Sequence, residues 1–354
     1  MSKPEPKLAH MPPHIKQTIA DATTNMGTKF ALGMVSKEFR DYVNRSPPNY
    51  TRICIVLDLR KVIVKACVQV EKNSWRHQSM EFSPHENART IKVNSRSNWK
   101  KTLLEKDYRK AALEYCLELI GRPNTTIDEF RLEESPFRNN RDRAEALSLK
   151  VDRKVIMGEL EEKLKVELKH PLLVKHFRID AEVTHAEILE LLPYLKPGFL
   201  VKIEFLRCRH HGSNAPVLNL DLISETQQWK QAKQVALDHY ICNAPLEHWA
   251  HFDKVQILQD RLLVPMKTIV EAFLNNPSFQ NLNIRFNEPC DLRGFKEYLA
   301  EFERERDDVE DEFSTLVLMR SSGTSRRVEI EYSSTFLEMT VDYMSPIEFW
   351  CFGE

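Results

Sequence analysis

The chain has 354 residues, 42% of them hydrophobic, and its formal net charge is −1 because 51 Lys and Arg residues nearly balance 52 Asp and Glu residues. At ~150 residues per domain, this length predicts about two folded parts, and the composition provides apolar residues for their cores. The balanced charge lacks the basic excess with which nucleic-acid-binding proteins neutralise phosphates, so we expect no nucleic-acid partner.

The first ten residues contain no apolar stretch of the kind that forms a secretory signal, and no window approaches the ~20 apolar residues of a membrane span. We therefore expect an intracellular protein, cytoplasmic and/or nuclear, that has no membrane partner. The cysteines are scattered and odd in number, which is typical of free thiols in a reducing compartment. They are Cys54, Cys67, Cys116, Cys208, Cys242, Cys290 and Cys351.

Residues 8–48 have the pattern of a small module of three helices. Pro12-Pro13 suits a first helical turn, apolar residues then recur at helical spacing, and Ser36 fits the N-cap of the last helix before Pro47-Pro48 ends the run. The module has more apolar positions than one tiny core can bury. This excess indicates either a partner surface or packing on the following domain, and the pattern leaves both open.

The next stretch, residues 51–148, is predicted to hold a β meander and a first α/β unit that lead into a C-terminal domain. Hydrophobic residues alternate with period two from Ile53 to Leu59 and again in Lys61–Glu71, which indicates strands with one buried face. With shorter segments further on, these strands predict a small antiparallel meander over Thr51–Asn94.

From about Leu103, helical and strand patterns alternate along the chain. The predicted helices are Tyr108–Ile120, Val155–Lys169, His185–Leu195, Thr226–Lys233, Leu246–Ala250, Met266–Asn275 and Leu292–Phe302. The predicted strands are Ile127–Leu132, Val174–Asp180, Val201–Leu206, Val235–Asp238, Lys254–Leu258, Leu282–Phe286 and Thr315–Met319, followed by a hairpin of Arg327–Tyr332 and Leu337–Tyr343.

These units recur roughly every 20 to 35 residues, within the range of α/β solenoids such as leucine-rich repeats. We therefore predict an α+β protein with three N-terminal helices and a small antiparallel β segment. An irregular, leucine-rich-repeat-like α/β solenoid then spans residues 150–335, with strands to about 345. A doubly wound open sheet is the competing architecture.

Residue patterns of catalysis are largely absent from the sequence. Only 9 glycines occur, and neither a Gly-rich phosphate loop nor a nucleophile elbow is present. His248 and His251 have zinc-ligand spacing, but ordinary packing or surface histidines account for them. We expect no enzyme, no metal site and no cofactor. A hydrolase built on the α/β part would need a pocket that joins a nucleophile, a base and oxyanion donors.

Two segments resemble the F-box. Met11-Pro12 with His14-Ile15 matches its start, and residues 32–40 read Leu-Gly-Met-Val-Ser-Lys-Glu-Phe-Arg, which is similar to the second half of that motif. The resemblance implies that this module binds a Skp-type adaptor. Carried over by position, the candidate adaptor-binding residues are Met11, Pro12, Ile15, Ile19, Leu32, Val35, Ser36 and Phe39.

A second resemblance lies further along the chain. Residues 188–198, Ile-Leu-Glu-Leu-Leu-Pro-Tyr-Leu-Lys-Pro-Gly, look like the hallmark of the FTH domain of nematode F-box A proteins. Gln228–Lys233 and His251-Phe252 fit the same domain, over roughly residues 150 to 335. Together the two resemblances imply a substrate receptor of a Skp–cullin–F-box ubiquitin ligase, in which the FTH domain binds an unknown target protein.

The alternative is an interaction scaffold that acts through the FTH-like domain without any ligase. Loss of the N-terminal module would leave the function of such a scaffold intact, whereas a ligase receptor needs both parts.

Overall fold

The computed structural model describes most of the chain after residue 48. The described ranges are 49–58, 61–71, 74–84, 91–95, 101–104, 107–122, 124–134, 143–206, 215–299, 314–320 and 326–343. The fold is mixed α/β. The described residues up to Lys175 form one compact unit, and those from His176 onward form a second. The predicted three-helix module at residues 8–48 lies outside the described residues.

The first unit is built on six strands in the order β6-β1-β2-β3-β4-β5. Neighbouring strands are antiparallel except for the parallel pair β1 and β6. The strands are β1 (Asn49–Asp58), β2 (Lys61–Glu71), β3 (Ser74–Pro84), β4 (Ile91–Ser95), β5 (Lys101–Leu104) and β6 (Thr126–Glu134). The helices are α1 (Tyr108–Ile120) and α2 (Arg143–Glu167).

The antiparallel meander predicted over Thr51–Asn94 is confirmed as β1 to β4. On one face, Ile53 and Ile55 of β1 pair with Ala66 and Val64 of β2, and all four are buried. Helix α1 packs against β2 and β3, where the ring of Tyr115 lies 5.9 Å from that of Phe82. The short strand β5 was not predicted, because four residues carry too little periodicity.

The second unit contains strands in the order β12-β13-β14-β11-β10-β9-β8-β7. Its strands are β7 (Leu173–Asp180, from His176 in this unit), β8 (Lys202–Leu206), β9 (Gln234–Ile241), β10 (Lys254–Gln259), β11 (Asn281–Phe286), β12 (Ser314–Arg320), β13 (Arg326–Ser333) and β14 (Phe336–Tyr343). Its helices are α3 (His185–Leu191), α4 (Asp221–Ser224), α5 (Gln227–Gln231), α6 (Met266–Asn275) and α7 (Arg293–Leu299), with 3₁₀ turns at Leu192–Tyr194 and Leu246–His248.

Strands β7 to β11 are parallel and follow chain order without a reversal. A sheet that grows in one direction has no switch point of the kind found in doubly wound folds, so this order favours the repeat architecture. The solenoid itself remains a prediction. The hairpin predicted at the end of the chain is confirmed as β13 and β14, which pair antiparallel with β14 beside β11.

One row of apolar side chains crosses the second unit from β7 to β13. Strand register places its members side by side, and each is at most 2% exposed. The row consists of Phe177, Ile203, Val235, Val255, Leu282, Met339 and Ile330. Because side chains alternate between faces, their neighbours along each strand must lie on the opposite face.

Aromatic residues of the helical side complete this core. Trp229 is 1% exposed, donates from Nε1 to the carbonyl of His248 at 2.6 Å, and meets the Phe252 ring edge-on at 5.1 Å. Trp249 stacks on Phe273 at 5.7 Å. A buried indole N–H group needs an acceptor, so the bond from Trp229 fixes the turn that carries the His248 carbonyl.

The predicted helix His185–Leu195 is shorter in the structure. Helix α3 ends at Leu191, and a 3₁₀ turn containing Pro193 follows. Its start is well defined, because Thr184 and Glu187 form a reciprocal capping box. No helix among the described residues is long and apolar enough to cross a membrane, and the five cysteines described are free thiols.

A buried ion pair in the first unit gives a stability test. The guanidinium of Arg153 on α2 contacts Glu134 at the end of β6, and the two side chains are 2% and 5% exposed. Removing one partner of such a pair costs about 3 kcal/mol or more. Arg153→Met is therefore expected to lower the free energy of unfolding by that amount in urea denaturation.

The matched control is Lys175→Met, which removes a cation from an exposed ion pair with Asp128 at 2.7 Å. Exposed pairs contribute little, so a change below about 0.5 kcal/mol is expected. Equal effects of the two substitutions would contradict the assignment of Arg153 and Glu134 as a buried, coupled pair.

Candidate interaction surface

The residues opposite the buried row form a mostly polar surface on the second unit, interrupted at the buried Ala236 and called here the polar sheet face. Two rows of register partners make it up. The first row is His176, Lys202, Gln234, Lys254, Asn281, Thr340 and Glu329, and the second is Arg178, Glu204, Ala236, Gln256, Asn283, Glu338 and Glu331. Lys254, Gln256 and Glu331 are exposed.

A charge cluster occupies the β7–β8 margin of this face and is centred on Glu204. Lys202 Nζ lies 3.0 Å from Oε1 of Glu204, and Arg178 Nη1 lies 3.2 Å from its Oε2. His176 Nε2 is 2.9 Å from Oε2, although its ring is not aligned for a regular hydrogen bond. Arg178 also binds Asp180 at 2.9 Å. The cations are more exposed than the carboxylates beneath them, so they form the accessible surface.

The pKa of Glu204 is lowered by the charged groups of this cluster. Burial raises the pKa of the carboxyl group, but the adjacent His176, Lys202 and Arg178 side chains outweigh it and lower the pKa to about 2. Glu204 is therefore ionised at neutral pH. It fixes the three surrounding side chains in place on the sheet.

The centre of the polar sheet face, called here the amide centre, carries the amides of Gln234, Gln256, Asn281 and Asn283 around the charge of Lys254. Asn281 Nδ2 donates to Thr340 Oγ1 at 3.2 Å, and Asn283 Nδ2 donates to Glu338 Oε2 at 3.1 Å. The side chains of Gln234 and Gln256 make no hydrogen bond to another described residue. Each amide offers two donors and one acceptor group, the complement of a peptide backbone.

The opposite margin is acidic, because Glu329, Glu331 and Glu338 come together on β13 and β14. Register places Glu331 directly opposite Glu338, and Glu329 opposite Thr340. Like charges opposite each other destabilise a strand pair. The polar sheet face thus runs from a cation-topped margin through an amide-rich centre that holds Lys254 to an acidic margin. Such an arrangement fits recognition of a protein segment by hydrogen bonds and charge.

The eight residues predicted to bind an adaptor all lie outside the described residues, so their arrangement is not addressed by the structure. The polar sheet face itself was not predicted as a site. Its only sequence signal is the polar half of each strand alternation, such as Lys254 and Gln256 between Val255 and Ile257. That signal is typical of any solvent-facing strand.

The histidines and cysteines near residue 245 do not converge. His251 Nε2 lies 3.1 Å from the carbonyl of Trp229, and burial lowers the pKa of the ring. Cys242 is fully buried, and burial raises the pKa of its thiol to about 12. In the part of the chain that the structure describes, no three His, Cys, Asp or Glu side chains are placed to hold a metal ion.

Comparison with known families identifies part of the chain. Residues 154–297 match the FTH domain. The match covers strands β7 to β11 and so includes the cluster at Glu204 and the amide centre. Strands β13 and β14, which carry the acidic margin, lie beyond it, and the match ends before the predicted limit near residue 335. FTH domains are associated with F-box proteins, which suggests a protein-interaction role.

No curated protein and no solved structure matches the chain. The FTH match and the geometry of the polar sheet face are therefore the two findings on which a functional assignment rests.

The Glu204 cluster makes stability depend on pH in a specific direction. Because the folded-state pKa is about 2, below the usual 4.5, the cluster stabilises the fold above pH ~4.5. This contribution is lost as pH falls from there towards 2. Glu204→Gln is expected to destabilise the protein at pH 7, with a difference from wild type that shrinks on acidification, as measured by urea denaturation at several pH values.

Glu271→Gln is the control, because Glu271 is half exposed and lies 4.0 Å from Lys267 on α6. It should change stability little at any of these pH values. A Glu204→Gln variant that is as stable as this control at pH 7 would remove the structural role assigned to the cluster.

Proposed function

We propose that the protein is a substrate receptor of a Skp–cullin–F-box ubiquitin ligase. In this proposal, the F-box-like residues 8–48 bind a Skp-type adaptor, and through it a cullin. The FTH domain, through the polar sheet face, binds a target protein. The observation that carries the proposal is the FTH match at residues 154–297, which lies behind an F-box-like segment in the order typical of F-box A proteins.

The polar sheet face supports the target-binding half of the proposal. Repeat-type sheets typically use such a face to bind an extended partner. The Gln234 and Gln256 amides have no hydrogen-bond partner among the described residues and so offer donors and acceptors to a partner, and the charged margins add orientation. A partner segment that satisfies both amides exchanges bonds to water for bonds to protein.

In this role the protein itself performs no chemistry and needs no cofactor. It raises the effective concentration of a target lysine near the ligase, as any tether between two binding modules does. The lack of a phosphate loop and a nucleophile elbow in the sequence is in keeping with such a receptor.

The adaptor half of the proposal is tested by the double substitution Pro12→Ala with Ile15→Asp. A charged residue in an apolar docking stripe is expected to abolish binding, because burying an unpaired carboxylate costs several kcal/mol. Co-purification of a Skp-type adaptor with the tagged full chain, read by mass spectrometry, measures the effect. Circular dichroism should show the rest of the chain still folded.

Retained adaptor binding in the folded double variant would contradict the ligase assignment. If deletion of residues 8–48 also left the cellular phenotype unchanged, the scaffold alternative would replace it. Both outcomes leave the target-binding half to be judged separately.

The target-binding half is tested by Lys254→Glu with Gln256→Arg, two exposed residues at the centre of the polar sheet face. The change reverses one charge and replaces an amide by a bulky cation, so target recovery should fall by about tenfold or more. Quantitative affinity purification against wild type identifies the target as the protein whose recovery falls. Adaptor recovery should not change.

Lys230→Glu with Gln231→Arg is the matched control, since it makes the same two changes on exposed residues of helix α5. Targets should be recovered with this control as with wild type. Loss of the same targets in the control, with retention in the sheet-face variant, would place target binding on the helical side instead.

A further inference from the structure

The first unit carries a hollow on the sheet face opposite helix α1, here called the basic hollow. Its volume is about 420 Å³, and it is formed by β1, β2, β3 and β6. The side chains that matter are Arg52 and Cys54 of β1, Lys65 of β2, Ser79 of β3, and Arg131 and Glu133 of β6. The volume lies at the small end of the range for small-molecule sites, ~300–1,000 Å³.

Strand register brings these side chains to one face. Lys65 is the partner of Cys54 on β1 and of Ser79 on β3, and Cys54 is also the parallel partner of Arg131. Side chains of direct partners lie about 5 Å apart at their Cβ atoms. Lys65 is therefore the central cation of the hollow.

The positive charge of the hollow exceeds its negative charge. Among the described lining residues, Glu133 is the single carboxylate, and its Oε2 lies 3.3 Å from Arg131 Nη2 and 3.6 Å from the Cys54 thiol. Arg52 donates from Nε to Glu129 at 2.8 Å, outside the lining. A guanidinium group has five N–H donors, so Arg52 has further donors beyond the one bonded to Glu129. Its side chain is about half exposed.

Two polar groups in the hollow have no partner among the described residues. Lys65 makes no ion pair with another described residue, although carboxylates salt-bridge the neighbouring Arg52 and Arg131. The hydroxyl oxygen of Ser79 is shielded from solvent and makes no hydrogen bond to a residue that the structure describes. A buried polar atom without a partner, such as the Ser79 hydroxyl, costs free energy. The Lys65 ammonium group lies opposite Ser79 in the register, so one oxyanion could accept hydrogen bonds from both groups.

The floor of the hollow is uncharged. Burial, together with the nearby Glu133 carboxylate, raises the pKa of the Cys54 thiol to about 12, and burial also raises the pKa of Cys67. Both sulfurs therefore stay protonated at neutral pH and behave as small apolar surfaces. A ligand that fits presents an apolar body to the thiols and an anionic head to Lys65.

We propose that the basic hollow binds an organic oxyanion, a compact phosphate ester or carboxylate attached to an apolar group. Lys65 and Ser79 receive the anionic head, and Arg52 adds a donor at the rim. The site lies outside the FTH match and is independent of the polar sheet face.

The experiment uses the full chain at 0.15 M salt, where exposed charges are largely screened. Isothermal titration calorimetry should detect binding of phenyl phosphate. Phenyl phosphate should bind more tightly than inorganic phosphate because of its apolar ring. Benzyl alcohol, which has the ring without the charge, should not bind. The capped peptide Gly-Gly-phosphotyrosine-Gly-Gly carries the same phenyl phosphate group and distinguishes a small-molecule ligand from a protein side chain. Only an open site accepts the flanking residues, so binding of the peptide indicates a protein side chain, and binding of phenyl phosphate alone indicates a small molecule.

Lys65→Met should lower the affinity for phenyl phosphate roughly tenfold or more, and Ser79→Ala should lower it by about threefold. The control Lys61→Met removes a cation from the same strand and face, where Lys61 lies 3.5 Å from both Asp58 and Glu81. It should not change the affinity. No binding of phenyl phosphate at millimolar concentration, or equal weakening by Lys61→Met and Lys65→Met, overturns the proposal.

Discussion

Burial of one apolar row stabilises the second unit and determines which side chains lie on the opposite face of its sheet. Side chains of a strand alternate, so once Ile203, Val235 and Val255 are buried, Lys202, Gln234 and Lys254 must face the other way. A slip of one residue would carry charges into the core, which makes the register strongly specified. The polar sheet face is thus a geometric consequence of the core.

Charge is handled differently in the two units. The Arg153–Glu134 pair of the first unit is fully buried, where desolvation opposes attraction and the pair mainly specifies how α2 meets β6. Glu204 in the second unit lies under the more exposed Lys202 and Arg178 and beside the ring of His176, so its charge is balanced close to the surface. The result is a margin whose cations are fixed in position yet remain open to a partner.

Local pattern predicted the elements well and their partners poorly. Helices α1 and α6 begin and end where the periodicity does, because Asp107 caps one and Pro265 precedes the other. The parallel pairing of β1 with β6 joins residues such as Ile53 and Phe130, and no local signal records a partner so far along the chain. The Glu204 cluster was missed for the same reason, since its cations come from two strands whose register only the folded sheet defines.

In the proposed receptor, the amide centre would give a physical basis for selectivity. A partner that reaches Gln234 and Gln256 must satisfy their donors and acceptors, because amides that lose water without a new bond each cost about 1–3 kcal/mol. In the proposed receptor, this cost would weaken binding of a segment that leaves the amides unpaired, even where its charges suit the margins. The FTH match covers the amides but stops before Glu331 and Glu338. The amides therefore lie within the FTH match, while the acidic margin is carried by the strands that follow it.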